Sequence, residues 1–292
     1  MIFLDPPVGG RESMKRVAIL AVALTLALAV APGPAAAQFR PEEIAQREAK
    51  EEFLLTAEIV RSEPIGEGVT KPWKLYLKKG DIEGKAAWKN PHGEMGGYLE
   101  GWQYEIAAYR LDKLIGLNMV PPAVERKFNG KRGALVLWAE NKYSLLKVME
   151  DGIRIPPEAL DHTEKMKYLA RAWDSLIGNE DRTQQNVLYT EDWRMILFDH
   201  SRAFRSTGEF IKRLMFGRDG IKMSSQGTPW LFRRLPRWFV DKIRTLTFEN
   251  IKAAVEETLM DGEIKAILAR RELLLEEIAG MIKELGEAAV IY

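Results

Sequence analysis

Residues 176 to 204 read LIGNEDRTQQNVLYTEDWRMILFDHSRAF. Two apolar stretches, NVLY and MILF, flank the turn composition TEDW, and this pattern predicts a short β-hairpin. Before the hairpin lies a polar segment with Asp181 and, five residues on, Asn186. Directly after it comes Asp199, 18 residues beyond Asp181. A carboxylate able to accept a hydroxyl proton, followed by two oxygen-bearing side chains able to hold a hard divalent cation, is a combination with chemical use. A plainer origin also exists, since Gly178 and Asn179 could end a helix that runs into an ordinary polar loop. The elements on either side decide between the two.

Upstream, the charged stretch EEIAQREAKEEFLL predicts a helix within residues 38–55. TAEIV, WKLYL and AAWK are short and rich in aromatic or β-branched residues. GEG and KKGDIEGK, both turn compositions, separate them, so a small antiparallel sheet is expected. EGWQYEIAAYRLDKLIGL places Ile106, Tyr109, Leu111, Leu114 and Ile115 near helical spacing, with Gly116 as the stop. VPPAVERKF and GALVLWAEN read as two more strands. A helix between 157 and 178 takes its apolar face from MKYLARAWDSLI. From Phe248 onward apolar residues recur every three or four positions, which predicts helices packed on a core. No internal repeat is apparent.

Composition narrows the function classes. The chain has 292 residues, is 46% hydrophobic, and carries 43 Lys and Arg against 42 Asp and Glu. That balance gives no argument for a nucleic-acid partner. Lys15 and Arg16 precede the apolar run VAILAVALTLALAV, then APGP and AAAQ. This predicts a secretory signal peptide over residues 1–37, cleaved after Ala37, and a mature chain without a stable membrane span. Met14 is an alternative start, because residues 1–13 carry Asp5, two prolines and two glycines. No cysteine is present, so disulfides and thiol chemistry are excluded. His92 falls in the turn NPHGEMGG and His162 begins a helix, neither with a metal-ligand partner at useful spacing. His200, next to Asp199, is expected to support it by packing or hydrogen bonding. Neither G-x-S-x-G nor H-E-x-x-H occurs.

A strand-rich half with one helix, joined through LVLWAEN to a helical half with an embedded hairpin, is the order of a bilobal kinase. The expected class is therefore α+β, with a small β-rich N-lobe over 56–140 and a mainly helical C-lobe over 141–292. The motif N-x-D-R-x-x-x-N, followed by an apolar strand and D-H, resembles an atypical kinase superfamily. Its members include type II phosphatidylinositol 4-kinases, HipA-type bacterial kinases and the secretory-pathway kinases of the Golgi. The first two groups usually have histidine or glycine after Asp-Arg, where this chain has Thr183; FDHSRAF is closer to the secretory kinases. YEIAAYRLDKLIGLNMVPPAV is similar to the E-x-x-AY-x-LD-x-x-LGL-x-x-VP segment of the lipid kinases, which matches Glu105 to their helix glutamate. The resemblance spans residues from about 59 to 204, and the last third of the chain carries no assigned motif.

The resemblance implies roles. Asp181 would accept or orient the acceptor hydroxyl, and Asn186 and Asp199 would hold Mg²⁺ or Mn²⁺ against the phosphates. Lys89, at the end of AAWK, would pair with Glu105 and position the α- and β-phosphates, with Lys85 the next candidate. Gly66 and Gly68 of the GEG loop would offer backbone to phosphate, and Leu137, Trp138 and Ala139 would form the hinge facing adenine. The function expected is an exported kinase, periplasmic or secreted, that transfers the γ-phosphoryl group of ATP to an unidentified hydroxyl acceptor: protein, lipid or small molecule. Two alternatives stay open: a non-catalytic nucleotide-binding pseudokinase or scaffold, and an AMP transferase on the same fold. Residues 201–237 carry nine cations against Glu209 and Asp219. They either pair with acids of the helical lobe or draw an acidic acceptor to the site.

Overall fold

The computed structural model describes residues 39–66 and 71–292. The expected signal peptide over 1–37, and Gly68, lie outside them. The chain enters through α1 (Pro41–Ala45) and α2 (Arg47–Thr56). The one helix expected over 38–55 is thus two, because Gln46 leaves helical geometry at φ −90° and ψ 3°.

β1 (Glu58–Pro64), β2 (Trp73–Lys79) and β3 (Ile82–Lys89) follow. Next come a separate hairpin, β4 (His92–Met95) with β5 (Tyr98–Gly101), helix α3 (Gln103–Ile115), and strands β6 (Ala123–Phe128) and β7 (Lys131–Leu137). The main sheet is antiparallel in the order β1-β2-β3-β7-β6. Alternation along β2 and β3 turns Leu75, Leu77, Ala86 and Trp88 to one face, where they bury against Leu54 of α2. Phe128 closes that core edge-on to Trp73 and Trp88, at 5.6 and 5.3 Å. His92 is the first residue of β4, not part of a turn; the turn is at Gly96 and Gly97, both with positive φ. Gly133 of β7 lies so close to β3 that a Cβ there would meet the Lys89 carbonyl oxygen at 2.5 Å. A glycine is required for the two backbones to approach at Lys89.

α3 buries Ile106, Tyr109, Leu111 and Ile115 in the larger core and ends at Gly116, whose φ of 79° is the left-handed cap its sequence position implies. Asp112, fully buried, accepts hydrogen bonds from the backbone of Met119 and Val120 at 2.7 and 2.9 Å, and from Arg47 at 2.8 Å. That staple turns the chain from α3 toward β6.

The helical part holds β8 (Tyr143–Ser144), α4 (Leu145–Glu150), α5 (Pro157–Ile177), β9 (Val187–Tyr189) and β10 (Met195–Leu197). It continues with α6 (Arg237–Arg244), α7 (Phe248–Val255), α8 (Asp261–Leu285) and α9 (Glu287–Val290). The periodic apolar residues of α8, among them Ile264, Ile267, Leu274 and Ile278, are buried in the larger core, which α5 shares. α5 stops at Gly178, φ 60°, where a Cβ would stand 2.8 Å from the guanidinium carbon of Arg270. Arg270 in turn donates to the carbonyls of Leu176 and Phe210 at 2.9 and 3.0 Å. The segment with Asp181 therefore starts from a fixed point. Among the described residues, no helix is long and apolar enough to cross a membrane.

Candidate active site

Three charged side chains from distant parts of the chain meet at the end of β3. Lys89 Nζ lies 3.0 Å from Glu105 Oε1 on α3 and 3.1 Å from Asp199 Oδ1, just past β10. Glu105 also accepts the backbone N–H of His200 at 3.1 Å. Asp199 sits at φ 58°, a left-handed conformation that aspartate tolerates better than most residues and that costs energy unless its surroundings hold it. Lys85, by contrast, pairs at the surface with Glu140 at 3.3 Å.

The charges in this cluster follow from burial and neighbours. Burial works against the Lys89 ammonium, but two carboxylates outweigh it and hold its pKa well above the ordinary lysine value. Burial also works against Asp199, yet Lys89 and the Ser201 hydroxyl bring its pKa below the usual range. Glu105 goes the other way: burial raises its pKa and Lys89 offsets this only in part.

A cleft of about 450 Å³ opens beside the cluster. Lys89, Asn186 and Asp199 line it together with Leu137, Trp138 and Ala139, and Ile65 and Pro72 bound it near the end of β1. Gly66 follows Ile65, is exposed, and has open space where a side chain would go. Trp138 N–H donates to the Lys85 carbonyl at 3.0 Å, which ties the segment after β7 to β3.

Asp181 adjoins the cleft through Asn186, whose side-chain amide donates to the Asp181 carbonyl at 2.9 Å. The Asp181 carboxylate is half-buried and lies 3.4 Å from Arg202 Nη1. Burial raises its pKa, with Arg202 opposing and Asp199 and Glu100 adding to the rise. Its neighbour Arg182 bonds both oxygens of the buried Asp174 at 2.9 Å, the carbonyls of Asn186 and Phe198 at 3.0 and 2.7 Å, and His200 Nε2 at 2.9 Å. Arginine only donates, so His200 Nε2 is the acceptor and its proton is on Nδ1. Burial first, then Arg182 and Lys89, push the His200 pKa far down, so the ring is neutral. It is a support, T-shaped against Trp173 at 6.5 Å.

The donor set suits a hard cation bound together with phosphate. Magnesium is commonly held by one or two carboxylates, with waters and phosphate oxygens completing its shell; Asp199 and Asn186 line one cleft and supply such a partial set. Among the described residues, no group of three His, Cys, Asp or Glu could hold a metal ion by itself.

Sequence reasoning assigned no role to Asp174, Arg182 or Glu100. One signal was present for Asp174, an aspartate inside the apolar stripe AWDSLI. The cations of 201–237 are largely engaged: Arg202 with Glu100, Arg205 with Glu180, Arg213 with Glu209, Arg218 with Glu284, Arg234 with Asp161 and Arg237 with Glu287.

No family model matches the chain, and no curated protein matches it. Solved structures do. A hydra Fam20 determined with sugar superposes with a TM-score of 0.58 at 14% identity, over 89% of this chain and 95% of that one. The Golgi casein kinase with Mn and ADP bound gives 0.60 at 13% identity, over 88% of this chain and 80% of that one. Identities this low speak for the fold, and the fold is the α+β, bilobal, kinase-like one expected from the order of elements.

Proposed function

We propose that the chain is an ATP-dependent phosphotransferase. The observation that carries this reading is the buried Lys89 between Glu105 and Asp199, at 3.0 and 3.1 Å, beside the cleft. Lys89 and Glu105 are buried and Asp199 is partly open to the cleft; replacing a buried ion pair by apolar residues of the same volume is often neutral or stabilising. Folding alone gives little reason to keep such a pair beside a cleft, and such clusters concentrate at functional sites.

In this reading Lys89, held by Glu105, would contact the phosphates of the nucleotide, Asp199 and Asn186 would hold Mg²⁺ or Mn²⁺, and residues 137–139 would face adenine. The bound metal would neutralise charge on the phosphates. The acceptor oxygen forms its bond to the γ-phosphorus as the bond to the β–γ bridging oxygen breaks; the acceptor proton passes to Asp181, and ADP leaves. Manganese and ADP in the casein kinase neighbour support the choice of ligand. The acceptor is a hydroxyl of unidentified type. Because the hydra neighbour was solved with sugar, sugars belong in the test panel beside peptides and lipids. Acidic and neutral acceptors compared at low and high salt test whether residues 201–237 recruit an anionic one, since screening would weaken that attraction.

The deciding experiment incubates the chain with that panel and ATP labelled separately at the α and γ positions, with Mg²⁺ or Mn²⁺. Label is expected on an acceptor, or in released inorganic phosphate, from the γ position alone. Transfer from the α position would establish AMP transfer instead. Binding without turnover of either label would make the protein a nucleotide-binding scaffold. Export is part of the same proposal, on the basic, apolar and AAAQ elements of residues 1–37. Intact-mass analysis of exported protein should give Gln38 as the first residue, and a retained apolar segment would refute cleavage.

A further inference from the structure

No motif marks Glu100, yet its side chain is only 2% exposed. A buried carboxylate needs partners, and both that it finds come from the segment just after Asp199. Ser201 Oγ donates to Glu100 Oε2 at 2.9 Å and also lies 3.2 Å from Asp199 Oδ1, so one hydroxyl proton serves two carboxylates. Arg202 holds Glu100 Oε1 through Nε at 2.9 Å and Nη2 at 2.8 Å, and its Nη1 lies 3.4 Å from Asp181 Oδ2. The guanidinium is held from the side by the Tyr98 ring, 4.2 Å from its centroid. The hairpin itself is pinned, because Gly101 N–H donates to the Ser201 carbonyl at 2.9 Å and a Cβ on Gly101 would stand 2.8 Å from the Tyr104 ring.

We propose that Glu100 is a positioning residue for the reaction, holding Asp199 through Ser201 and Asp181 through Arg202. This rests on the phosphotransferase reading, in which those two aspartates do different work. The distances give the mechanism. Arg202 is divided between two carboxylates, and Glu100 has the shorter contacts. With the Glu100 charge gone, Arg202 closes onto Asp181 and ties up the acceptor-side carboxylate in an ion pair.

The test uses the full chain, Mn²⁺ and γ-labelled ATP, with water as the acceptor unless the panel has supplied a better one. Glu100→Gln should lower kcat about 100-fold, the scale expected when a reacting group is misplaced by roughly 1 Å, with KM for ATP within about threefold and the nucleotide-induced rise in Tm retained. Removing the trapped cation as well should help: Glu100→Gln with Arg202→Ala should turn over faster than Glu100→Gln alone, which a merely structural role for Glu100 would not produce. Ser201→Ala cuts the other branch and should raise the Mn²⁺ concentration for half-maximal turnover about tenfold, as losses behind a metal ligand do. If Glu100→Gln does not fold, Glu100→Asp keeps the charge but draws it one methylene away from Arg202 and Ser201, and should lower kcat in the same direction by a smaller factor, again relieved by Arg202→Ala. Wild-type turnover in the Glu100 variant, or a double variant no faster than the single, overturns the inference while leaving the phosphotransferase reading intact. A wild type that turns over no ATP overturns that reading and this inference with it.

Discussion

Asp199→Ala is expected to abolish the thermal stabilisation that Mg- or Mn-ATP confers, whereas Asp181→Ala keeps the stabilisation and loses turnover. A ligand that binds the native state alone stabilises it by about 2.7 kcal/mol at roughly 100 times its Kd, which corresponds to roughly 5–10 °C in Tm for a chain of this size. Asp199 lines the cleft and touches Lys89 at 3.1 Å, so its removal takes away both the proposed metal ligand and half of the lysine's anchoring. The apo protein will itself change in stability, because Lys89 keeps only Glu105. The comparison must therefore be the ligand-induced difference for each variant, never absolute Tm. Asp181 stands apart from this cluster, beyond Asn186 and against Arg202. Loss of a proton acceptor costs about 10²–10⁴-fold in rate and should leave nucleotide binding in place. An equal ATP-induced shift in wild type and Asp199→Ala would reject the metal role of Asp199.

How much of this was legible differs from element to element, for physical reasons. Strands β2 and β3 and helices α3, α5 and α8 each bury one face or stripe, so periodicity reveals them, and Gly116 and Gly178 mark helix ends through the conformation they alone adopt easily. The hairpin of β4 and β5 has no such face: most of its residues are exposed or half-buried, and a glycine-rich ribbon without apolar alternation reads as a turn. Glu100 was hidden with it. The meeting of Lys89, Glu105 and Asp199 spans 110 residues; Asp199 stands out locally, directly after an apolar hairpin, but its pairing with Lys89 and Glu105 leaves no local trace and is implied only by the family resemblance. The basic segment shows the opposite failure. A window over 201–237 reports charge excess because the partners of its cations, such as Glu180 and Glu284, are far away in sequence.

Arg182→Ala should destabilise the fold by about 3–5 kcal/mol, the usual cost of removing one partner from a buried ion pair. The partner is Asp174, fully buried and left with only the Asn179 side-chain amide at 2.9 Å. Arg182→Lys should recover little, since one ammonium cannot span two carboxylate oxygens, two carbonyls and an imidazole nitrogen as a planar guanidinium does. Urea unfolding measures the loss as a lower midpoint at constant slope, and a change under about 1 kcal/mol would refute the assignment. Turnover can be separated from stability by removing both charges. Asp174→Leu with Arg182→Met leaves no unpaired ion, so part of the stability should return, as it does when buried pairs are replaced by apolar residues of similar size. Activity should not return with it. The carbonyls of Asn186 and Phe198 would still lack the donor that ties them together, and those two residues carry the loop that ends in Asn186 and the strand end that presents Asp199.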